Sequence, residues 1–378
     1  MSSDYSNKLL SLGDVPAVEA TYTAFPTRTA ARWIIPASRV HRQSMMRMFH
    51  PRSLSGKALK SLIYWGLIRG DAAPAATKPL DELCRFLSEK LNLPNITVGM
   101  AIGTEGAYQK HTLRLMENDG TVIAYAKLSN RELSKQKLVA EHANLIQLST
   151  IIELAQQIPR ILLFEEFDGC TVLVTSAGPD EAGQNCFTSD HELFLHTLFL
   201  ASQQEKPLSS SRAWKEICST LSWLKSRASQ QWLDRFDCAM IEIRREIGDS
   251  SLHLSMVHGD FAPWNTCRTS KGLFVFDWER AMPDAPPLLD FFHFHAIQDV
   301  ILGRRFDVDI ELTKRIALKM FGRKVAGDIN INIFFLIYLV DVASSYLRAR
   351  LEMPRVGSDR VLAWAGNRLD FELGRING

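Results

Sequence analysis

The stretch that decides how this chain is read is MVHGDFAPWN, residues 256–265. It places His258, Asp260 and Asn265 within eight residues, with Gly259 and Pro263 between them. Glycine and proline both break helical periodicity, so the segment is a loop. A loop so dense in potential ligands and bases is either a polar surface turn or a site. The runs on either side decide which. LSMV before it, ending at Val257, and LFVFDW after it, from Leu273 to Trp278, are short and strand-like, and Lys271-Gly272 supplies a turn. If the two strands flanking that turn pair, Asn265 and Asp277 meet. An amide oxygen and a carboxylate are hard oxygen ligands of the kind Mg²⁺ takes when it is bound together with phosphates. Asp260 is then free to face an acceptor hydroxyl.

Two further features fit the same chemistry. IGTEGAY, residues 102–108, lies between strand-like runs, and Gly103 and Gly106 would let backbone N–H groups approach a phosphate. The turn is not a Walker A loop, and none occurs elsewhere. Lys127 lies in the apolar strand AYAKL, where a lysine must either reach water or find a carboxylate. Fourteen residues later, Glu141 falls on a predicted helix that could supply it. A glycine turn, a lysine held by a glutamate, a base and two metal ligands are the parts of a phosphoryl-transfer site.

The set resembles the aminoglycoside phosphotransferase and choline kinase family, the small-molecule branch of the protein-kinase-like fold. That family's catalytic loop, H-G-D-x-x-x-x-N, is matched at His258, Gly259, Asp260 and Asn265. Its metal-binding aspartate is matched by Asp277 in FDWE, and its loop-bracing aspartate by Asp290 in PPLLDFFHF. The resemblance covers about residues 96–378. It implies that Asp260 orients or deprotonates the acceptor and that Asn265 and Asp277 hold Mg²⁺. By the same token Lys127 contacts ATP phosphates, Glu141 fixes Lys127, and Gly103, Thr104 and Gly106 cover the phosphates. Val174 to Ser176 would offer backbone groups to adenine, and His258 would brace the loop. The DFAPWN variant and the basic N-terminal region resemble relatives from bacterial polysaccharide biosynthesis.

The expected fold is α+β and bilobal. Residues 96–176 read as a small antiparallel sheet with one helix, with hairpin turns at Asp119-Gly120 and Asp168-Gly169. Residues 177–378 read as a mainly helical lobe. Residues 1–95 read as a basic, partly helical extension, with GDAAPAATKP (70–79) as a linker before the amphipathic helix LDELCRFLSEKLNL. Between residues 20 and 70 there are nine Lys or Arg and no Asp or Glu. The segment SLSGKALKSLIYWGL lays Leu54, Ala58, Leu59, Leu62, Ile63 and Trp65 on one stripe. That stripe either caps a kinase lobe or docks on an anionic membrane or partner.

The chain's 378 residues, 46% hydrophobic, suit a globular protein of two or three domains. A net charge of +2 gives no reason to expect nucleic acid as a partner. Six scattered cysteines without a C-x-x-C pair disfavour a zinc site or disulfide framework, and with the lack of a signal core they point to the cytoplasm. IFFLIYLV, residues 333–340, is the longest apolar run and reads as the buried side of a core helix. HELFLH, 191–196, imitates a zinc-protease helix, but its histidines are spaced i, i+5 and diverge. His293 and His295 read as packed, Met45, Met46 and Met48 as core, and Trp264 as either a substrate platform or filler. The expected activity is ATP- and Mg-dependent transfer of phosphate to a small-molecule hydroxyl. A nucleotide-binding scaffold and a membrane-surface adaptor are the alternatives. Residues 177–378 hold 26 acidic and 24 basic side chains, a balance that favours a neutral or anionic acceptor over a polycation.

Overall fold

Two Asp-Gly pairs set the first sheet. Asp168 and Gly169 both have positive φ, 49° and 76°, which suits the tight turn between β7 (Ile161–Phe167) and β8 (Cys170–Ser176). At Asp119-Gly120 the Asp119 carboxylate accepts from the Thr121 N–H at 2.8 Å and Gly120 takes φ 83°. That turn joins β5 (His111–Met116) to β6 (Val122–Ser129). The computed structural model describes residues 21–27, 29–49, 51, 54–103, 105, 108–179, 183–352 and 359–377. The chain divides into two compact units, residues 1–149 with 158–182, and residues 150–157 with 183–378.

In the first unit eight strands form one antiparallel sheet in the order β3-β1-β2-β4-β5-β6-β8-β7. Strands were not expected before residue 96. Yet β1 (Tyr22–Phe25), β2 (Trp33–Pro36) and β3 (Asp71–Ala72) extend the sheet, and β2 pairs with β4 (Thr97–Ile102). The sheet therefore continues across the expected boundary at residue 95. Alternation divides its apolar residues between two faces. Ala24, Ile34 and Leu115 face the core covered by α3 (Pro74–Leu91), while Phe25, Ile35 and Met116 face Met45, Met46 and Ile63. The methionines belong to α1 (Arg39–Met48) and Ile63 to α2 (Leu54–Trp65). The linker expected at 70–79 is instead strand and helix, with Pro74 at the start of α3, where its missing N–H costs nothing. α4 (Glu132–Ser149) follows β6.

The second unit is mainly helical. Its helices are α5 (Ser189–Ser202), α6 (Arg212–Leu224), α7 (Gln230–Ile247), α8 (Leu289–Leu302), α9 (Ile310–Asp328), α10 (Ile331–Glu352) and α11 (Asp359–Asn377). Strand β10 (Ser251–Val257) pairs with β9 (Gln204–Pro207) and β13 (Met282–Ala285). It leads straight into the HGD loop. The hairpin β11 (Thr266–Thr269) and β12 (Gly272–Val275) follows that loop. Among the described residues α10 is the one helix long and apolar enough to cross a membrane. Ile333 through Val340 are all buried, however, as expected for the core of this unit.

Candidate active site

Lys127 is placed by pairing on both sides, opposite Thr112 on β5 and Leu173 on β8. An apolar interior strand cannot leave an ammonium group without a partner. Glu141 on α4 supplies it, and Nζ donates to Oε1 at 2.7 Å and to Oε2 at 2.6 Å. The lysine side chain is 18% exposed and the glutamate 3%. A deeply buried carboxylate thus holds a cation that still reaches solvent.

At the glycine turn, a Cβ on Gly103 would lie 2.0 Å from the Lys110 carbonyl oxygen, so only glycine lets the two strand ends close. Gln109 Nε2 donates to the Gly103 carbonyl at 3.2 Å, and Ser129 Oγ to the Gln109 carbonyl at 2.6 Å. Thr104 and Gly106 lie outside the described residues. Val174 is buried between β6 and β7, paired with Ala126 and Leu163. The Ser176 N–H donates to the Arg160 carbonyl, and its hydroxyl accepts from the Arg160 N–H at 3.0 Å. Val174 thus lies inside the sheet, and the Ser176 N–H is engaged by Arg160.

In the second unit the loop after β10 is anchored by its own sequence. Phe261, Ala262 and Pro263 are buried, so Asp260 before them and Asn265 after them are carried on a packed segment. Gly259 has φ 75°, and a Cβ there would stand 2.4 Å from the Arg280 carbonyl oxygen. The HGD sequence requires glycine for both reasons. His258 is fully buried, its Nε2–H donating to the Phe276 carbonyl at 3.0 Å and its Nδ1 accepting from the Asp260 N–H at 3.2 Å. That pattern assigns the neutral tautomer and a bracing role. Asp290, at the start of α8, accepts from the His258 N–H at 2.7 Å and the Gly259 N–H at 2.9 Å. Burial pushes the Asp290 carboxyl up, against the pull of His258 and the two N–H groups.

The β11–β12 register places Thr266 opposite Val275, and the Phe276 N–H donates to the Asn265 carbonyl at 3.1 Å. Asn265 thus faces Phe276, with Asp277 the next residue along, so the pairing of the two strands sets Asn265 and Asp277 near each other in register. Asn265 Nδ2 donates to the Asp260 carbonyl at 2.8 Å and to Asp260 Oδ2 at 3.0 Å. Its amide nitrogen is so committed, which leaves its oxygen as the atom that could meet a cation. Asp277 sits at φ 71°, a conformation Asp and Asn tolerate better than most residues. An amide oxygen and a carboxylate on adjacent backbone are a hard-oxygen pair suited to Mg²⁺.

His293 was read as packed, and it is, at 4% exposure. It also makes the contact that sequence reasoning missed. Its Nε2 lies 3.0 Å from Asp260 Oδ1, and the Tyr338 hydroxyl of α10 lies 3.3 Å from its Nδ1. Nε2–H donates to the carboxylate in either protonation state of the ring, and Nδ1 meets the tyrosine hydroxyl. The local signal was the i, i+3 spacing from Asp290, which sets both residues on one face of α8. The other decoys have structural roles. His191 caps α5 through Thr188, His196 bonds the Met320 carbonyl, and His295 stacks on Phe306.

Asp260 is 29% exposed at its side chain. Burial raises its pKa, but the His293 hydrogen bond, the His293 charge and the Arg280 guanidinium lower it more, so the net shift is downward. Arg280 is held charged against burial by Asp341 and Asp260. A lowered carboxyl stays ionised further into acid. Removing His293 removes two of the lowering influences, so the acidic limb of a rate profile should move to higher pH in His293→Leu. Turnover at neutral pH should also fall about ten-fold, the worth of one charge-assisted hydrogen bond. A pH–rate profile with an unmoved acidic limb would reduce His293 to packing.

Residues 126–311 match the profile of the phosphotransferase enzyme family. Among curated proteins none matches the chain. Among solved structures, an ethanolamine kinase from Plasmodium vivax is 12% identical with a TM-score of 0.56, over 86% of this chain and 96% of that one. The choline kinase LicA of Streptococcus pneumoniae is 11% identical with a TM-score of 0.53, over 78% and 99%. An apo form of the aminoglycoside phosphotransferase APH(4)-Ia is 15% identical with a TM-score of 0.51, over 78% and 99%. At these identities the likeness is one of fold. Lys127, Glu141, Asp260, Asn265, Asp277 and Asp290 all fall inside the matched segment. Residues 126–311 thus match the model of the phosphotransferase enzyme family, and the chain has the kinase-like fold seen in an aminoglycoside phosphotransferase and in choline and ethanolamine kinases.

Proposed function

We propose that this chain transfers the γ-phosphate of ATP, with Mg²⁺, to a hydroxyl of a small molecule. The observation that carries this reading is the Asp260 carboxylate, held by His293 on one oxygen and Asn265 on the other. Asp260 accepts the acceptor's O–H proton as the acceptor oxygen bonds to the γ-phosphorus and the bond to the β,γ-bridging oxygen breaks. Phosphoryl transfer asks little covalent help of a protein, so the rate rests on positioning and charge neutralisation. Asn265 and Asp277 would hold Mg²⁺, which supplies charge neutralisation at the phosphates. Lys127, fixed by Glu141, contacts the phosphates, and the turn at Gly103 to Gly106 covers them. The cytoplasm, with its ATP, is the compartment this reading requires.

For the acceptor, the near balance of acidic and basic side chains after residue 177 favours a neutral or anionic hydroxyl compound. A sugar or glycan intermediate fits best, ahead of an amino alcohol or an aminoglycoside. Two of the similar folds belong to proteins named as ethanolamine and choline kinases, which keeps amino alcohols in the panel. A nucleotide-binding scaffold would not need Asp260 so held. The test is MgATP consumption against sugars, amino alcohols and aminoglycosides, paired with Asp277→Asn. Asparagine is also tolerated at φ 71°, so this substitution preserves the backbone. It should weaken nucleotide affinity when Mg²⁺ is present and leave it unchanged in EDTA. An equal loss in both would make Asp277 structural, and no acceptor-dependent ATP consumption by the wild type would remove the transferase reading.

A further inference from the structure

The apolar stripe of α2 was expected to cap a lobe or to dock elsewhere, and its placement separates the two. Only Ile63 is buried, against Ile35, Met45, Met46 and Met116. At 100° per residue Leu54, Ala58, Leu62 and Trp65 fall within one arc of about 80°, with Leu59 about 60° beyond it. All of these face solvent. Leu54 is 84% exposed and Trp65 62%, and Leu67, in the turn that follows, is 73% exposed. A capping helix would bury this arc. Six large apolar side chains, Leu54, Leu59, Leu62, Trp65, Leu67 and Ile68, are instead exposed along the helix and the turn after it. A run of that kind marks an interaction surface.

Charge points to the partner. Exposed Arg39 and Arg47 lie on α1, which packs against α2, exposed Lys57 lies on α2, and exposed Arg69 follows it. The whole segment from 20 to 70 carries nine cations and no carboxylate, and Asp71 is the first anion after it. A short helix with an apolar arc, a tryptophan at its end and basic flanks suits the interface of an anionic bilayer. There the apolar residues enter the acyl boundary and the cations stay among the head groups. A neutral apolar partner or a second copy of this chain would gain nothing from this excess of positive charge, and the second copy would repel it.

We propose that the outward face of α2 and the turn after it dock this protein reversibly on an anionic phospholipid surface. This goes beyond the transferase reading and does not depend on it. The test is sedimentation of the full-length protein with phosphatidylcholine vesicles, with and without one-third phosphatidylserine, at low and high salt. Binding should require phosphatidylserine and should fall at least ten-fold at high salt, because the Debye length shrinks from about 10 Å at 0.1 M to about 3 Å at 1 M. Lys57→Glu with Arg69→Glu should lower it by at least five-fold per site, the worth of about 1 kcal/mol for each basic residue. Leu54→Ser with Trp65→Ser should abolish it. Both pairs alter exposed residues, so melting temperatures should match the wild type. Absence of binding to anionic vesicles at low salt would overturn the proposal. So would binding indifferent to salt and to charge reversal. A dimer seen by light scattering and lost in Leu54→Ser with Trp65→Ser, without vesicle binding, would assign the face to a second copy and equally overturn it.

Discussion

Asp260→Ala should lower turnover by about 10²–10⁴, the range for loss of a positioned general base, while ATP remains bound. The argument rests on how the carboxylate is held. Oδ1 receives His293 at 3.0 Å and Oδ2 receives Asn265 at 3.0 Å, so the group is oriented before substrate arrives. Orientation in advance is what makes a side chain worth this much to a reaction. The substitution should not collapse the loop. Asn265 keeps its bond to the backbone carbonyl of residue 260 at 2.8 Å, and Asp290 still holds the His258 and Gly259 N–H groups. Nucleotide affinity and melting temperature are therefore the controls. Asp260→Asn fills the same space and should lose nearly as much turnover, which separates loss of the base from loss of packing. Turnover within a few-fold of wild type in either variant would remove Asp260 from the chemistry.

The parts legible in the sequence were those encoded locally. Both Asp-Gly pairs specify their turns: Asp168 and Gly169 both take positive φ, which few other residues admit, while at Asp119-Gly120 the glycine alone does and the Asp119 carboxylate accepts from the Thr121 N–H. The spacing of His258, Asp260 and Asn265 is local, and the position of Asp277 one residue past the partner of Asn265 follows from a hairpin of fixed register. Lys127 in an apolar strand announced a buried partner, and Glu141 is that partner.

What escaped was non-local. β1 and β2 are four residues each, too short to show alternation, and they are recognisable only by the sheet they join. Tyr338 meets His293 across 45 residues of chain, a separation over which no local pattern carries information. The stripe on α2 was visible, but periodicity tells that a helix has an apolar side and not what that side faces. His293 escaped for another reason. Set among Phe291, Phe292 and Phe294, it has the surroundings of a core histidine, and packing and function proved compatible in one side chain.

Asp290→Ala should destabilise the second unit by about 2–4 kcal/mol and lower turnover at least ten-fold where the protein is still folded. The Asp290 carboxylate accepts two backbone N–H bonds, from His258 at 2.7 Å and Gly259 at 2.9 Å, and it is 3% exposed. Alanine leaves both donors buried without an acceptor, at about 1–3 kcal/mol each. Relief from burying a carboxyl whose pKa is raised by that burial offsets part of the loss, which places the net below the sum. The effect on turnover follows by a separate route. His258 and Gly259 begin the loop that carries Asp260, and Gly259 holds a positive φ that the bond to Oδ1 helps secure. Releasing it moves the carboxylate without touching it. Asp290→Asn should fall between alanine and wild type, since one amide oxygen can satisfy one donor while the amide nitrogen faces the other. Thermal melting and initial rates at a temperature well below the transition check both halves. An alanine variant that melts with the wild type would show that other bonds hold the loop. One that melts early but turns over normally would confine Asp290 to stability.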